Sequence, residues 1–214
     1  WMGEILFRTK LSENLFKGLS PWMQKLPGGL IHVNVVGCAL FAAISGSSAA
    51  TVATVGKMSI PELRKRNYPE KILLGSLAGS GTLGLLIPPS IILIIYGVAV
   101  QESIAKLFIA GIIPGIMIAL IFMSYVIIWS LINKKEMPKI LEEYSFLEKI
   151  KRSKQLLPVI LLISAVIGSI YTGVATATEA ASLGVVGALI LSYFQKSLTL
   201  ETFKSSLLGA TKTS

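Results

Sequence analysis

The chain has few charged residues and almost none of the side chains that build disulfides or transition-metal sites. Its 214 residues include one cysteine, Cys38, and one histidine, His32. A single cysteine excludes an internal disulfide and a cysteine-based metal cluster. Only 14% of the residues are charged and 53% are hydrophobic, whereas soluble domains carry about 25% charged residues. The composition therefore predicts an all-α, polytopic membrane protein.

The net charge of +9 comes from basic residues that lie between the apolar stretches. The densest groups are Arg64-Lys65-Arg66 and residues 149–154. Basic residues beside apolar spans mark cytoplasmic loops, so we expect a lipid bilayer and no nucleic acid as the partner of these charges. No signal peptide is evident at the start. Because the chain opens on Trp1, we expect it to be part of a longer protein.

Apolar and polar stretches divide the chain into eight predicted segments with three or four full membrane crossings. The segments are an amphipathic interfacial or arm helix at 1–27, a re-entrant hairpin at 28–58, a cytoplasmic loop at 59–71, a discontinuous transmembrane helix at 72–103, a transmembrane helix at 104–132, a cytoplasmic loop at 133–154, two transmembrane helices at 155–194 and the truncated start of a further segment at 195–214. Within this scheme, Pro114-Gly115 predicts a kink in the span at 104–132.

The hairpin is predicted from the short apolar runs on either side of SGSS at 45–48. Residues 30–44 are about fifteen apolar residues, fewer than the roughly 20 that a crossing needs. Both flanks of 28–58 are basic, which favours entry and exit on one side of the membrane. A hairpin tip at 45–48 would present carbonyl and hydroxyl oxygens, the ligands that hard cations prefer. A packing interface of small residues is the alternative.

The second interruption is GTLGLLIPPS at 81–90, inside a stretch long enough to cross a membrane. Gly81 and Gly84 permit the backbone angles of an unwound turn. Pro88 and Pro89 leave carbonyls without N–H partners and suit the first turn of a second half-helix. Backbone carbonyls freed at membrane depth need protein, a wet cavity or an ion. A simple proline kink is the alternative, although it leaves the glycine pair unexplained.

Three polar positions admit both a structural and a functional interpretation. Glu179 is predicted to lie in the first turn of a helix capped by Thr176 or Thr178, with an ion-pathway carboxylate as the alternative. His32 and Asn34 are predicted to hydrogen-bond within the packing. Pairing of His32 with Ser47 would make an intramembrane serine protease, although no acid or oxyanion loop accompanies them.

The order of four motifs resembles one transporter family. The blocks are PGGL…GCALFAAISGSSAATVATVGKM, GSLAGSGTLGLLIPPSIILIIYGV, ESIAKLFIAGIIPGIM and ATATEAASLGVVGAL. In this order they resemble the large membrane subunit, or DctM-like permease, of tripartite ATP-independent periplasmic (TRAP) transporters. Nearly the whole chain fits, and the combination is far more specific than any single block.

The resemblance implies an elevator-type, inverted-repeat transporter of the bacterial inner membrane, without enzymatic activity and with Na⁺ as its coupling ion. It implies import of an organic anion, a C4-dicarboxylate or a sugar acid such as sialic acid, and two partners: a periplasmic binding protein (DctP-like) and a small membrane subunit (DctQ-like), separate or fused. The implied Na⁺ ligands are Ser45, Ser48, Gly84, Ile87 and Pro89. The implied substrate-site candidates are Ser47, Thr82 and Ser90.

Two departures from the family pattern limit the resemblance. Family members are about twice this long and carry a second hairpin and broken helix, with a second Na⁺ site and the other half of the cavity. Ala177 stands where the family often has proline. A truncated membrane remnant that transports nothing is therefore the alternative for the chain as it stands.

Overall fold

The computed structural model describes residues 1–9, 11–138 and 144–213. Within these ranges the chain forms eleven α-helices, one short 3₁₀ turn and no strand, which confirms the all-α class. The α-helices are Met2–Arg8 (α1), Leu11–Met23 (α2), Ile31–Ser45 (α3), Ser48–Lys65 (α4), Glu70–Gly81 (α5), Ile91–Val100 (α6), Ile104–Ile132 (α7), Phe146–Ser153 (α8), Leu157–Tyr171 (α9), Ala177–Phe194 (α10) and Leu200–Thr213 (α11); the 3₁₀ turn is Thr82–Leu85.

Helix α3 is the centre of the core. It is apolar around most of its circumference, and a helix of this kind must be enclosed by other elements. Helices α4 and α5 pack on it, with α2 and α7 beside them. Most of its side chains are buried, among them Ile31, Val33, Cys38, Phe41 and Ile44. The hairpin of α3 and α4 is thus surrounded by protein on several sides.

The segment at 1–27 is two helices and not the single helix predicted. Helix α1 ends at Arg8, because Thr9 takes an extended conformation with φ −107° and ψ 171°. Ile5, Leu6 and Leu15 are buried in the core of the chain, so the apolar face of this segment packs against protein. Lys10 lies outside the described residues.

The segment at 133–154 is not wholly a loop. It contains α8, whose start is stabilised by a capping box between Ser145 and Glu148. The dense charge suggested a loop, but lysine, arginine and glutamate are all good helix formers. Residues 139–143 lie outside the described part of the chain.

Fewer helices than predicted are long and apolar enough to cross a membrane alone. In the described residues these are α7 and α10, or three spans if the bent pair of α8 and α9 counts as one. Helices α5 and α6 have 12 and 10 residues, because the 72–103 segment is broken in the middle. Helix α7 runs through Pro114 as one element of 29 residues.

Asn34 and His32 have the hydrogen-bonded packing roles that the sequence predicts. The Asn34 side-chain amide donates to the Leu73 carbonyl at 3.1 Å and to the Ser76 hydroxyl at 3.0 Å. His32 Nε2 lies 2.8 Å from the Pro27 carbonyl oxygen. Asn34 therefore joins the hairpin to α5 inside the core.

Replacing Asn34 with alanine is expected to lower the free energy of unfolding by roughly 1–3 kcal/mol, because two buried hydrogen bonds between α3 and α5 are lost. Thermal unfolding of the detergent-solubilised protein measures the change. Ser59→Ala is the control, since the buried Ser59 hydroxyl has no hydrogen-bond partner among the described residues. Equal losses in the two variants would contradict the assignment.

Candidate ion and substrate site at the hairpin tip

The chain reverses between α3 and α4 in two residues. Gly46 ends α3 in the left-handed conformation, with φ +61°, and its N–H donates to the Ala42 carbonyl. Ser47 then begins α4 as the N-cap, and its hydroxyl accepts from the Ala50 N–H at 3.5 Å. Glycine suits the first position because positive φ costs it nothing. The turn lies within the predicted tip at 45–48.

Three hydroxyl and carbonyl groups form a compact network behind the turn. Ser45 Oγ lies 2.7 Å from Thr51 Oγ1, and Thr51 Oγ1 donates to the Ser47 carbonyl oxygen at 2.7 Å. Ser45 Oγ is also 3.2 Å from that carbonyl oxygen. The network fixes the orientation of the turn. Sequence reasoning missed Thr51; its signal is a threonine four residues after the N-cap serine, on the same helical face.

The broken helix is unwound over about nine residues. Helix α5 ends at Gly81, the 3₁₀ turn ends at Leu85, and α6 begins at Ile91 after the N-cap Ser90. The buried Ser90 hydroxyl donates to the Leu85 carbonyl at 2.6 Å and so bridges the break. The prolines precede the second half-helix instead of forming its first turn, because Ser90 is extended, with φ −117° and ψ 132°.

The tip and the break touch at two points where only glycine fits. The Ile91 N–H donates to the Gly46 carbonyl at 3.4 Å. A Cβ added at Gly46 would lie 2.6 Å from the Pro89 carbonyl oxygen, and one added at Gly84 would lie 2.8 Å from the Ser47 carbonyl carbon and oxygen. The structure therefore brings the two interruptions of the sequence into direct backbone contact.

Several carbonyl groups at this contact have no donor. No described residue donates a hydrogen bond to the carbonyl oxygens of Ser45, Gly84, Ile87 and Pro89. Carbonyl oxygens in an unwound segment are ligands of the kind that hard cations take. The described residues contain no group of three histidine, cysteine or acidic side chains placed to hold a metal. A cation bound here would be held by neutral oxygens.

The remaining candidates occupy different surroundings. Ser47 and Ser48 are half-buried at the tip. Thr82, at the start of the 3₁₀ turn, is exposed, and its hydroxyl donates to the Gly79 carbonyl of α5 at 2.7 Å. Ile87 packs with its side chain toward Gly115 of α7. Ser90 is enclosed within the break. Of the three substrate-site candidates, Ser47 is the one in the turn itself.

A cavity of about 200 Å³ adjoins the tip. Its walls include Ser45, Gly46 and Pro89, and the rest is mainly apolar: Trp1, Met2, Ile91, Phe108, Val166 and Ile170. Sequence reasoning did not indicate these wall residues, because apolar positions on separate helices carry no signal of where the helices meet. The cavity therefore places open space beside Ser45 and Gly46 of the hairpin tip.

The other polar candidates are structural. Thr176 caps α10: its hydroxyl accepts from the Glu179 N–H at 3.4 Å, while Glu179 accepts from the Thr176 N–H at 2.8 Å. This confirms the predicted cap. His32 and Ser47 stand at opposite ends of α3, and the thirteen helical residues 33–45 separate them by about 20 Å. A catalytic pair between them is excluded.

Comparison with known proteins gives the family. All of residues 1–214 match the family described as "Tripartite ATP-independent periplasmic transporter, DctM component". The chain belongs to the DctM family. This is a family of transporter permeases and not of enzymes, in agreement with the resemblance inferred from the four motifs.

Three relatives illustrate the range of the DctM family. The C4-dicarboxylate TRAP transporter large permease protein DctM of Pseudomonas aeruginosa is 40% identical over 78% of this chain and 38% of its own length. The sialic acid TRAP transporter permease protein SiaT of Haemophilus influenzae is 36% identical over 94% of this chain and 32% of its own. The ectoine/5-hydroxyectoine permease UehC of Ruegeria pomeroyi is 35% identical over 88% and 43%. The chain thus spans less than half the length of each of these relatives.

Proposed function

We propose that this chain supplies one half of the translocation pathway of a TRAP permease, in which Na⁺ bound between the hairpin tip and the broken helix drives uptake of an organic anion. The observation that carries the proposal is the backbone contact between Gly46 and Ile91. On both sides of this contact there are carbonyl oxygens that accept no hydrogen bond from a described residue. Two segments that are unwound and in contact offer a cation several oxygens at once.

The Na⁺ site would use Ser45, Ser48, Gly84, Ile87 and Pro89. Ser45 and Ser48 flank the turn, and Gly84 approaches the peptide between Ser47 and Ser48 to within van der Waals distance. Neutral oxygens suit a monovalent ion, because each carries only a partial negative charge. A site made of them binds the ion, but weakly enough to release it again. Binding would also compensate carbonyls that hydrocarbon cannot solvate.

The transport cycle we propose is of the elevator type, in a bacterial inner membrane. The hairpin of α3 and α4 is re-entrant and moves with the broken helix. The partners are a periplasmic binding protein and a small membrane subunit. The relatives carry names for C4-dicarboxylate, sialic acid and ectoine transport, and we propose a small organic anion, such as a C4-dicarboxylate or a sugar acid, as the class of substrate. Ser47, Thr82 and Ser90 are the positions proposed to contact the substrate.

Replacing Ser45 or Ser48 with alanine is expected to raise the Na⁺ concentration that gives half-maximal uptake by about tenfold. Alanine keeps the backbone carbonyl but removes the hydroxyl oxygen, which we propose as a ligand worth about 1.4 kcal/mol. Ser45→Ala also removes the hydrogen bond to Thr51. Uptake by the full-length permease in proteoliposomes, with its binding protein and a range of Na⁺ concentrations, measures the change.

The control for this pair is Ser124→Ala. Ser124 is exposed on α7, and its hydroxyl donates to the Leu120 carbonyl of its own helix. Unaltered Na⁺ dependence in both tip variants would remove the assignment, and so would an equal shift in Ser124→Ala.

A further inference from the structure

Helix α8 leaves three large apolar side chains exposed next to a group of cations. Phe146, Leu147 and Ile150 are 66%, 76% and 43% exposed. At about 100° per residue these positions lie within one arc of roughly 100°, with Lys149 on one side of the arc and Lys151 on the other. An apolar arc bordered by lysines is the pattern of a helix that lies in a membrane interface.

The direction of α8 agrees with such a position. Helix α9 is apolar and follows α8 after three residues, and the two helices are bent by 51° relative to each other. If α9 runs into the bilayer, the 51° bend turns α8 away from the direction of α9 and toward the membrane surface. Charged side chains near the end of an apolar helix place their charges at the level of the lipid headgroups.

Trp22 holds α8 in one rotational position. Its indole N–H donates to the Ser153 hydroxyl at 2.7 Å. The Trp22 and Phe146 rings meet edge to face with centroids 6.4 Å apart, and the Lys149 ammonium group lies 5.5 Å from the Trp22 ring. Trp22 is itself 40% exposed, and tryptophan favours the membrane interface. The contacts fix which face of α8 is presented.

The charges on this segment are strongly unbalanced. Four cations lie at 149, 151, 152 and 154, and none of them forms an ion pair with a carboxylate in the described part of the chain. The only acidic residue in α8, Glu148, accepts from the Ser145 N–H at 3.0 Å in the helix cap. A cavity of about 490 Å³, lined by Lys17, Lys151, Arg152, Glu148 and Gln155, opens between α2 and α8.

We propose that α8 and Trp22 form a binding surface for the headgroups of anionic phospholipids. Headgroup phosphates would lie on either side of the apolar arc, one near Lys149 and another near Lys151, with Lys154 just beyond the end of α8. The acyl chains would cover Phe146, Leu147 and Ile150. The apolar arc favours a lipid over free phosphate, because Phe146, Leu147 and Ile150 can contact acyl chains but make no favourable contact with a phosphate ion. This inference is independent of the proposed Na⁺ site.

The test is a lipid-contact measurement at α8 in the full-length protein in nanodiscs. A fluorophore is attached through Leu147→Cys, since Cys38 is buried. Quenching by nitroxide-labelled phosphatidylglycerol is compared with quenching by nitroxide-labelled phosphatidylcholine. A basic residue near an anionic surface contributes about fivefold in affinity, so we expect phosphatidylglycerol to associate at least about fivefold more strongly.

Two triple variants decide the result. Lys149→Gln/Lys151→Gln/Lys154→Gln is expected to bring the preference to within about twofold of unity, because three such contributions are lost. The control, Lys65→Gln/Lys71→Gln/Lys106→Gln, removes the same charge from exposed positions elsewhere. We expect it to retain the preference for phosphatidylglycerol. Three results would each overturn the proposal. They are equal quenching by both lipids in the parent protein, an equal loss of the lipid preference in both triple variants, and abolition of the preference by added inorganic phosphate.

Discussion

Gly46→Ala is expected to abolish Na⁺-driven uptake and to lower the free energy of unfolding by roughly 2–5 kcal/mol. The left-handed conformation of Gly46, at φ +61°, costs a residue with a Cβ about 1–2 kcal/mol. The new methyl group would also lie 2.6 Å from the Pro89 carbonyl oxygen, and overpacking of this kind costs about 1–3 kcal/mol. Because this oxygen belongs to the backbone of the broken helix, the collision can be relieved only if the hairpin tip moves away from α6.

A matched substitution separates the two costs. Gly173 also has a positive φ, +71°, but a Cβ there would meet nothing within 4 Å. Gly173→Ala therefore carries the conformational cost without the collision, and we expect it to retain uptake. Thermal unfolding in detergent and uptake in proteoliposomes are measured for both variants. Similar behaviour of the two would show that backbone strain alone, and not the close approach of tip and break, determines the effect at Gly46.

The sequence predicts the positions of the two interruptions because their causes are local. Glycine and proline act on the backbone of their own residues, so Gly46 and the 81–90 segment interrupt their helices where the residues stand. The cap of Thr176 on α10 is equally local, since all its atoms lie within one turn of helix. Features that depend on a few neighbouring residues are accessible without a structure.

Contacts between distant segments are not accessible in this way. The sequence marks Gly46 and Gly84 as conformationally permissive, but it does not show the close approach of the other segment, which leaves no room for a Cβ at either position. The bend at Thr9 is not predicted either, because the helical spacing of apolar residues continues across it. The role of Thr51 depends on the folded turn that brings it to Ser45.

The same distinction explains the difference in the number of spans. Hydrophobicity measured along the chain predicts three or four crossings, since it counts any apolar stretch of sufficient length. One predicted crossing, at 72–103, forms the two short helices α5 and α6, with 12 and 10 residues, and α9 in the 155–194 segment has only 15 residues. A transporter core places apolar helices against one another as well as against lipid, and sequence alone does not separate these two environments.

Gly84→Ala is expected to impair Na⁺-driven uptake strongly, through a large increase in the Na⁺ concentration for half-maximal uptake that comes from collision alone. Gly84 does not have a positive φ, and alanine fits its conformation. Its Cβ, however, would lie 2.8 Å from the carbonyl oxygen of Ser47 and 2.9 Å from the nitrogen of Ser48. These are backbone atoms at the start of α4, held by the hydrogen bond from Thr51. The cost is about 1–3 kcal/mol, and it falls on the peptide between the proposed Na⁺ ligands.

Gly75→Ala is the control for Gly84→Ala. Gly75 lies within α5, is exposed, and would meet nothing within 4 Å. Alanine there should stabilise the helix by about 0.5–1 kcal/mol and leave uptake unchanged. The decisive measurement is the Na⁺ concentration for half-maximal uptake in whatever fraction of Gly84→Ala folds. A large increase relative to Gly75→Ala places the ion at the contact of tip and break. An unaltered value in folded Gly84→Ala would mean that the ion binds elsewhere, and that the close packing of Gly84 on Ser47 serves only to join the two halves of the fold.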